Sequence, residues 1–213
     1  NDLLFDMLLD ARPTYGWLSE ETQDDATRLT KDRCFVIDPI DGTRSFMAGE
    51  KTWSHSIAVV ENGHVIAGVV YLPATNVMYR AVRGAGAFVG DTRMQVQDVD
   101  HVDNARILAN RAVMTSGNWL NGSAPGFDRH HRPSLAYRMA AVAEGKFDGM
   151  ITLRPTWEWD VAAGVLMVEE AGGVVCDRIG NAVQFNNPTP QSKGLIATTH
   201  RLRDQFLEKL DLR

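Results

Sequence analysis

The sequence predicts a layered α/β (α+β) protein, and three observations lead to that expectation. Strand-forming runs dominate the first half, at 54–60, 65–72 and 77–82. In the second half strand and helix patterns alternate, which points to sheets and helices packed in layers. The chain has 213 residues, 44% of them hydrophobic, with 18 Gly besides, so it is long enough to bury a full core without a disulfide or structural metal.

The elements follow in order. Leu3, Leu4, Met7 and Leu8 recur at helical spacing and mark one face of a short amphipathic helix that ends before Pro13. Residues 17–21 read as a loop. Cys34-Phe35-Val36-Ile37 is short, apolar and flanked by charge, as a buried strand is, and its end delivers Asp38. The strands at 54–60 and 65–72 join around Glu61-Asn62-Gly63, where Asn-Gly signals a hairpin. A third strand at 77–82 leads through a Gly84-Ala85-Gly86 turn to Ala87-Phe88-Val89, and 106–110 offers one more short strand. Past a soft boundary near 100–106, Leu135, Met139, Ala140, Val142 and Ala143 form a helical stripe ended by Gly145. A strand at 147–153, a helix over 160–171 stopped by Gly172-Gly173, strands at 174–176 and 195–198, and a closing helix carrying Leu202, Phe206, Leu207 and Leu210 complete the chain. The expected division is 1–105 and 106–213, two subdomains of one unit.

Composition excludes several functions. Lys plus Arg is 22 and Asp plus Glu is 27, a net charge of −5, which lacks the electrostatic footprint of a nucleic-acid binder. Cys34 and Cys176 form no CxxC and no Cys/His cluster, so reduced, buried thiols in a cytoplasmic protein are expected. The longest apolar run, 161–168, falls far short of the roughly 18–20 residues a membrane span needs. The opening residues have no basic region of the signal-peptide kind. They begin at once with a helical pattern, which leads us to expect further residues before Asn1.

Asp38-Pro39-Ile40-Asp41-Gly42-Thr43 is the most informative stretch. Two carboxylates leaving a buried strand through a Pro-stiffened turn can converge beyond the sheet edge, and hard cations such as Mg²⁺ take oxygen ligands of this kind together with phosphate oxygens. Gly42 lets the backbone approach an anion, and a following helical turn aims free N–H groups at it. Taken alone, the same residues are also ordinary turn formers. Ser19-Glu20-Glu21 adds carboxylates, although a Glu pair in a loop is usually a solvated face. Trp157-Glu158-Trp159-Asp160 stands at a helix start, where Asp160 has the look of an N-cap as much as of a ligand.

Taken in order, Ser19-Glu20-Glu21, Asp38 to Thr43, and Trp159-Asp160-Val161-Ala162-Ala163-Gly164 with Glu170-Ala171-Gly172-Gly173 resemble the signature segments of the inositol monophosphatase superfamily. The resemblance spans nearly the whole chain. It implies an αβαβα sandwich of the inositol monophosphatase and fructose-1,6-bisphosphatase type, and Mg²⁺-dependent, lithium-sensitive hydrolysis of a small phosphorylated substrate by two or three ions. A homodimer is implied as well. Position by position, it makes Glu20, Asp38 and Thr43 catalytic, Glu20 also orienting the attacking water. Metal would be held by Glu20, Asp38, Asp41, Asp160 and the Ile40 carbonyl. Asp41, Gly42, Thr43 and Asp160 would meet the substrate phosphate. Leu153 stands where inositol-specific members carry a glutamate, and the Ser-Glu-Glu, Asp-Gly-Thr-Arg-Ser-Phe and Trp-x-Trp-Asp forms look more like the 3′(2′),5′-bisphosphate nucleotidase branch, where an aromatic could stack on adenine.

Other signals are set aside. Gly84 to Gly90 misses the dinucleotide spacing and lies between strands. Adjacent side chains point apart, so His130-His131 reads as a solvated loop, and Asn121-Gly122-Ser123 is a sequon by spelling only. Arg44 could touch substrate, though exposed arginines commonly do not. Two rival functions remain: a catalytically weak regulatory or binding protein on the same scaffold, and a structural cation-binding domain preferring Ca²⁺.

Overall fold

The computed structural model, which describes residues 1–212, holds two main sheets with a pair of helices between them. The first helix, α1 (Asp2–Ala11), places Phe5 edge-on against Trp17 at 5.0 Å and buries no residue fully. Seven strands then form one sheet in chain order: β1 (Gly16–Ser19), β2 (Arg33–Asp41), β3 (Ser54–Glu61), β4 (His64–Leu72), β5 (Val77–Val82), β6 (Gly86–Val89) and β7 (Thr92–Arg93). The β1–β2 pair is parallel and the rest are antiparallel. Burial alternates residue by residue along β3, so one face of this sheet turns to the core. Between β2 and β3 the chain makes the short helix α2 (Thr43–Met47).

The stripe at 135–143 is helix α3 (Leu135–Ala143), capped by the Ser134 hydroxyl, which accepts from the Tyr137 N–H at 2.9 Å. The second sheet has five strands: β8 (Arg106–Ala109), β9 (Asp128–His130), β10 (Gly149–Thr152), β12 (Val174–Cys176) and β14 (Leu195–Thr198). Their spatial order is β12-β14-β10-β8-β9, and a separate two-stranded ribbon joins β11 (Thr156–Trp157) to β13 (Gln191–Ser192). Helix α4 (Glu158–Glu170) is apolar nearly all round because it is wrapped by β2–β6, by α3 and by the second sheet. A Cβ at Gly164 would stand 2.6 Å from the Met139 Cβ, so glycine sets the close approach of α4 to α3. The last helix, α5 (His200–Lys209), puts Leu202 and Phe206 into a second core with Ile107, Ile151 and Ile196. The layers run α1, sheet, α3 with α4, sheet, α5, which is the αβαβα order.

Several details differ from the sequence reading; the two-residue strands β7, β11 and β13 were not expected, and three further differences bear on the core and the site. Residues 17–19 are not loop but belong to β1, whose Leu18 enters the main core while Gly16 packs against the Arg28 backbone; a four-residue strand is too short to show its period. The helix expected from 160 begins at Glu158, since Trp157 takes the cap position. Strand β9 was not expected, because Asp128-Arg129-His130 carries none of the usual strand formers. Both cysteines are free and buried, and burial pushes the thiols up, Cys34 to about 12 and Cys176 to about 11. No helix is long and apolar enough to cross a membrane among the described residues.

Candidate active site

The site begins with an irregularity in β2. Asp38 pairs with Ser56 of β3 and Asp41 with Ser54, so three steps on one strand match two on its neighbour. Pro39 has no N–H to give the ladder, and the extra residue forms a bulge there. In a regular strand residues three apart point to opposite faces; the bulge returns Asp38 and Asp41 to the same one. Ile40 closes the turn, donating its N–H to the Asp38 carboxylate at 2.9 Å.

Asp160 arrives from the first turn of α4. It is the third residue of that helix, where the Trp157 backbone acts to lower its carboxyl, and not the N-cap expected from sequence, a place that Trp157 takes. Asp38, Asp41 and Asp160 each offer an oxygen within 4.8 Å of the other two, with Asp38 and Asp41 buried and Asp160 half-buried. Burial raises the Asp38 carboxyl to about 10, and Asp41, Glu20 and Asp160 add like charge. Burial likewise raises Asp160 to about 8, helped by Asp41 and Glu20. Asp41 rises only to about 6, because the Ser134 hydroxyl (2.6 Å) and the Ala136 N–H (2.7 Å) donate to it against the effect of burial. The Arg138 guanidinium also lowers Asp41, so the protein offsets part of the charge at Asp41, whereas no cation among the described residues acts on Asp38 or Asp160.

Glu20 stands beside the three aspartates without joining their close group. It is exposed, its N–H donates to the Ile37 carbonyl at 3.3 Å, and its charge is felt by Asp38 and Asp160. Gly42 takes φ +92°, the left-handed region that favours glycine, and lets the chain turn from β2 into α2. Thr43 opens that helix and donates its hydroxyl to the Ile40 carbonyl at 3.2 Å.

A cavity of about 790 Å³ opens beside this group, lined among others by Glu20, Gly42, Thr43, Arg44, Arg138 and Arg154. Sequence reasoning missed Ser134, Arg138 and Arg154. Ser134 was readable as a cap by its place after Pro133, but nothing local ties it to Asp41, 93 residues away. His131 was read as solvated; it lines the cavity and accepts at Nδ1 from Arg138 at 3.2 Å, while His130 turns away to Asp128 at 2.8 Å. Trp157 and Trp159 stack on each other at 4.7 Å and 8°, and neither lines the cavity.

A layered αβαβα sandwich that gathers carboxylates from a strand end and a helix start beside a strand-to-helix turn is the arrangement that the resemblance implies. Comparison with known proteins agrees. Residues 1–211 match the inositol monophosphatase family. The chain is 34% identical to the inositol-1-monophosphatase of Caulobacter vibrioides, over 97% of its own length and 82% of the relative's. It is 35% identical to the Nus factor SuhB of Pasteurella multocida, over 83% of its length and 66% of the relative's. Among solved structures, an inositol monophosphatase (IMPase) of Thermotoga maritima has a TM-score of 0.82 at 31% identity, covering 97% of this chain and 78% of that one. The chain belongs to the inositol monophosphatase family, and is a phosphatase on that ground.

Proposed function

We propose that the chain is a Mg²⁺-dependent phosphomonoesterase that hydrolyses a small phosphorylated metabolite, a nucleoside 3′(2′),5′-bisphosphate or an inositol phosphate, with water as the nucleophile. The observation that carries this reading is the close group of three carboxyls, Asp38 and Asp41 buried and Asp160 half-buried. The donor set fits a hard divalent cation: every ligand is an oxygen, and the raised Asp38 and Asp160 carboxyls mark charge that Arg138, acting on Asp41 alone, leaves uncompensated. Glu20, Asp38, Asp41, Asp160 and the Ile40 carbonyl would hold two or three ions. Bound there, Mg²⁺ supplies positive charge that favours deprotonation of a nearby water and offsets charge on the leaving oxygen.

The chain's own groups do the rest. Glu20, exposed at the cavity edge, orients the attacking water and accepts its proton. The Gly42 and Thr43 N–H groups at the open start of α2 receive the phosphate oxygens, and the Thr43 hydroxyl joins them by turning from the Ile40 carbonyl. Asp41, fixed by Ser134 and Ala136, and Asp160, fixed by the first turn of α4, keep the leaving-group side in place. Residues from 1–105 and 106–213 thus form one catalytic unit. The buried thiols of Cys34 and Cys176 are protonated and take no nucleophilic part, and they accord with a cytoplasmic setting. Lithium sensitivity and a homodimer belong to the same reading on the family's ground.

The test is phosphate release from adenosine 3′,5′-bisphosphate, inositol 1-phosphate and fructose 1,6-bisphosphate, with and without Mg²⁺ and lithium. Mg²⁺-dependent release from at least one of them is expected; none from any would end the reading. A regulatory or binding role on the same scaffold has one observation in its favour, the likeness to a Nus factor. It predicts no Mg²⁺ site.

A further inference from the structure

Resting on that hydrolase reading, the cavity carries a statement about the substrate. Arg44, Arg138 and Arg154 all line it, against the carboxylates of Glu20 and Glu50. Glu50 is already engaged, accepting from the Ser45 hydroxyl at 2.7 Å, and Glu20 belongs to the aspartate side. Arg138 is buried and committed: its Nε donates to the Arg132 carbonyl at 2.5 Å and another nitrogen meets His131. Arg44 and Arg154 are exposed at the cavity, and neither makes an ion pair or hydrogen bond within the protein among the described residues. Arg154 lies close enough to Arg138 for their like charges to oppose each other, which an anion between them relieves. The volume of about 790 Å³ is that of a small-molecule site and exceeds what one phosphate fills.

We infer that Arg44 and Arg154 are specificity residues that grip a second, non-reacting phosphate, so that the preferred substrate is a small bisphosphate. Guanidinium groups match phosphate with paired N–H donors and stay charged at any working pH, which suits an anion that is held and not transformed. The seat proposed for the reacting phosphate, Gly42 and Thr43, lines the same cavity. Apart from the His131 imidazole the lining has no aromatic ring, so charge and not stacking carries the recognition.

The experiment compares matched pairs that differ only in the second phosphate: adenosine 3′,5′-bisphosphate against adenosine 3′-monophosphate, and fructose 1,6-bisphosphate against fructose 1-phosphate. Wild-type kcat/KM should favour the bisphosphate of at least one pair by about tenfold or more, and the favoured pair tells nucleoside from sugar. In Arg44→Gln and Arg154→Gln most of that preference should vanish, chiefly through KM. A turnover-free readout is calorimetric binding of the product that keeps the second phosphate, adenosine 5′-monophosphate or fructose 6-phosphate, against adenosine or fructose. Wild type should bind the phosphorylated member more tightly, and the variants should not. Equal losses on both members of each pair, or no wild-type preference, would overturn the inference while leaving the hydrolase intact. Absent turnover of every substrate would instead strike the functional reading, with the binding comparison still deciding this one.

Discussion

The Ser134 hydroxyl donates to the Asp41 carboxylate at 2.6 Å while the same oxygen accepts the Tyr137 N–H at 2.9 Å. One side chain therefore caps α3 and fixes a site carboxylate on β2, joining the two halves of the chain at the site. Ser134→Ala removes both contacts. It should cost about 1–2 kcal/mol in urea unfolding and lower phosphatase activity further than the stability loss explains. Ser134→Thr should restore most of both. A change under about 0.5 kcal/mol would show that neither bond contributes.

Stability should depend on pH in an unusual direction. Asp38, Asp160 and Asp41 are held at about 10, 8 and 6, above the ordinary carboxylate value, so the folded chain keeps protons that the unfolded chain releases. That contribution is full below about pH 4 and is lost as pH rises through those values. Thermal unfolding of the metal-free chain should fall in midpoint from pH 5 to pH 9, and millimolar Mg²⁺ should recover the loss at pH 9 far more than at pH 5. Asp38→Asn should flatten the metal-free profile and remove the Mg²⁺ response. A pH-independent midpoint in wild type would mean that the carboxyls are not under strain.

Glu158 is buried two residues before Asp160 and accepts from the Asn186 N–H at 2.6 Å, the Asn187 N–H at 3.1 Å and the Asn187 amide at 2.7 Å. Asn186 in turn accepts from fully buried Arg28 at 2.6 Å. Glu158→Ala strands these donors and should cost roughly 2–4 kcal/mol, with hydrogen exchange quickening at 186–187. Unchanged exchange there would place the effect elsewhere.

Gly164→Val tests the packing of α4 on α3. Its Cβ would overlap Met139, so α4 must shift and carry Asp160 with it. Overpacking of this kind costs roughly 1–3 kcal/mol. Weaker Mg²⁺ binding should accompany it. Stability loss with wild-type Mg²⁺ affinity would show that Asp160 is positioned independently of the helix pair.

Much of this was legible in the sequence for physical reasons. Helix α3 was expected from its stripe and is found over the same residues, and the β3–β4 hairpin turns where Asn62-Gly63 signals it. The segment Asp38 to Thr43 announced itself because its chemistry is contiguous. What stayed hidden is non-local. Ser134 reaches Asp41 and Arg138 enters the cavity only once α3 is laid beside β2, and neither residue type differs from an ordinary cap or surface cation beforehand. The bulge at Pro39 was likewise unreadable as a device that turns Asp38 and Asp41 to one face, since register exists only after β3 pairs.

The most direct measurement is calorimetric titration of Mg²⁺ into the metal-free chain at pH 8, beside Asp160→Asn. Wild type should show saturable binding in the millimolar range or tighter, and the variant should lose at least one site with its fold intact. No heat of binding in wild type, or an isotherm that Asp160→Asn leaves unaltered, would contradict the assignment of these carboxylates to a metal.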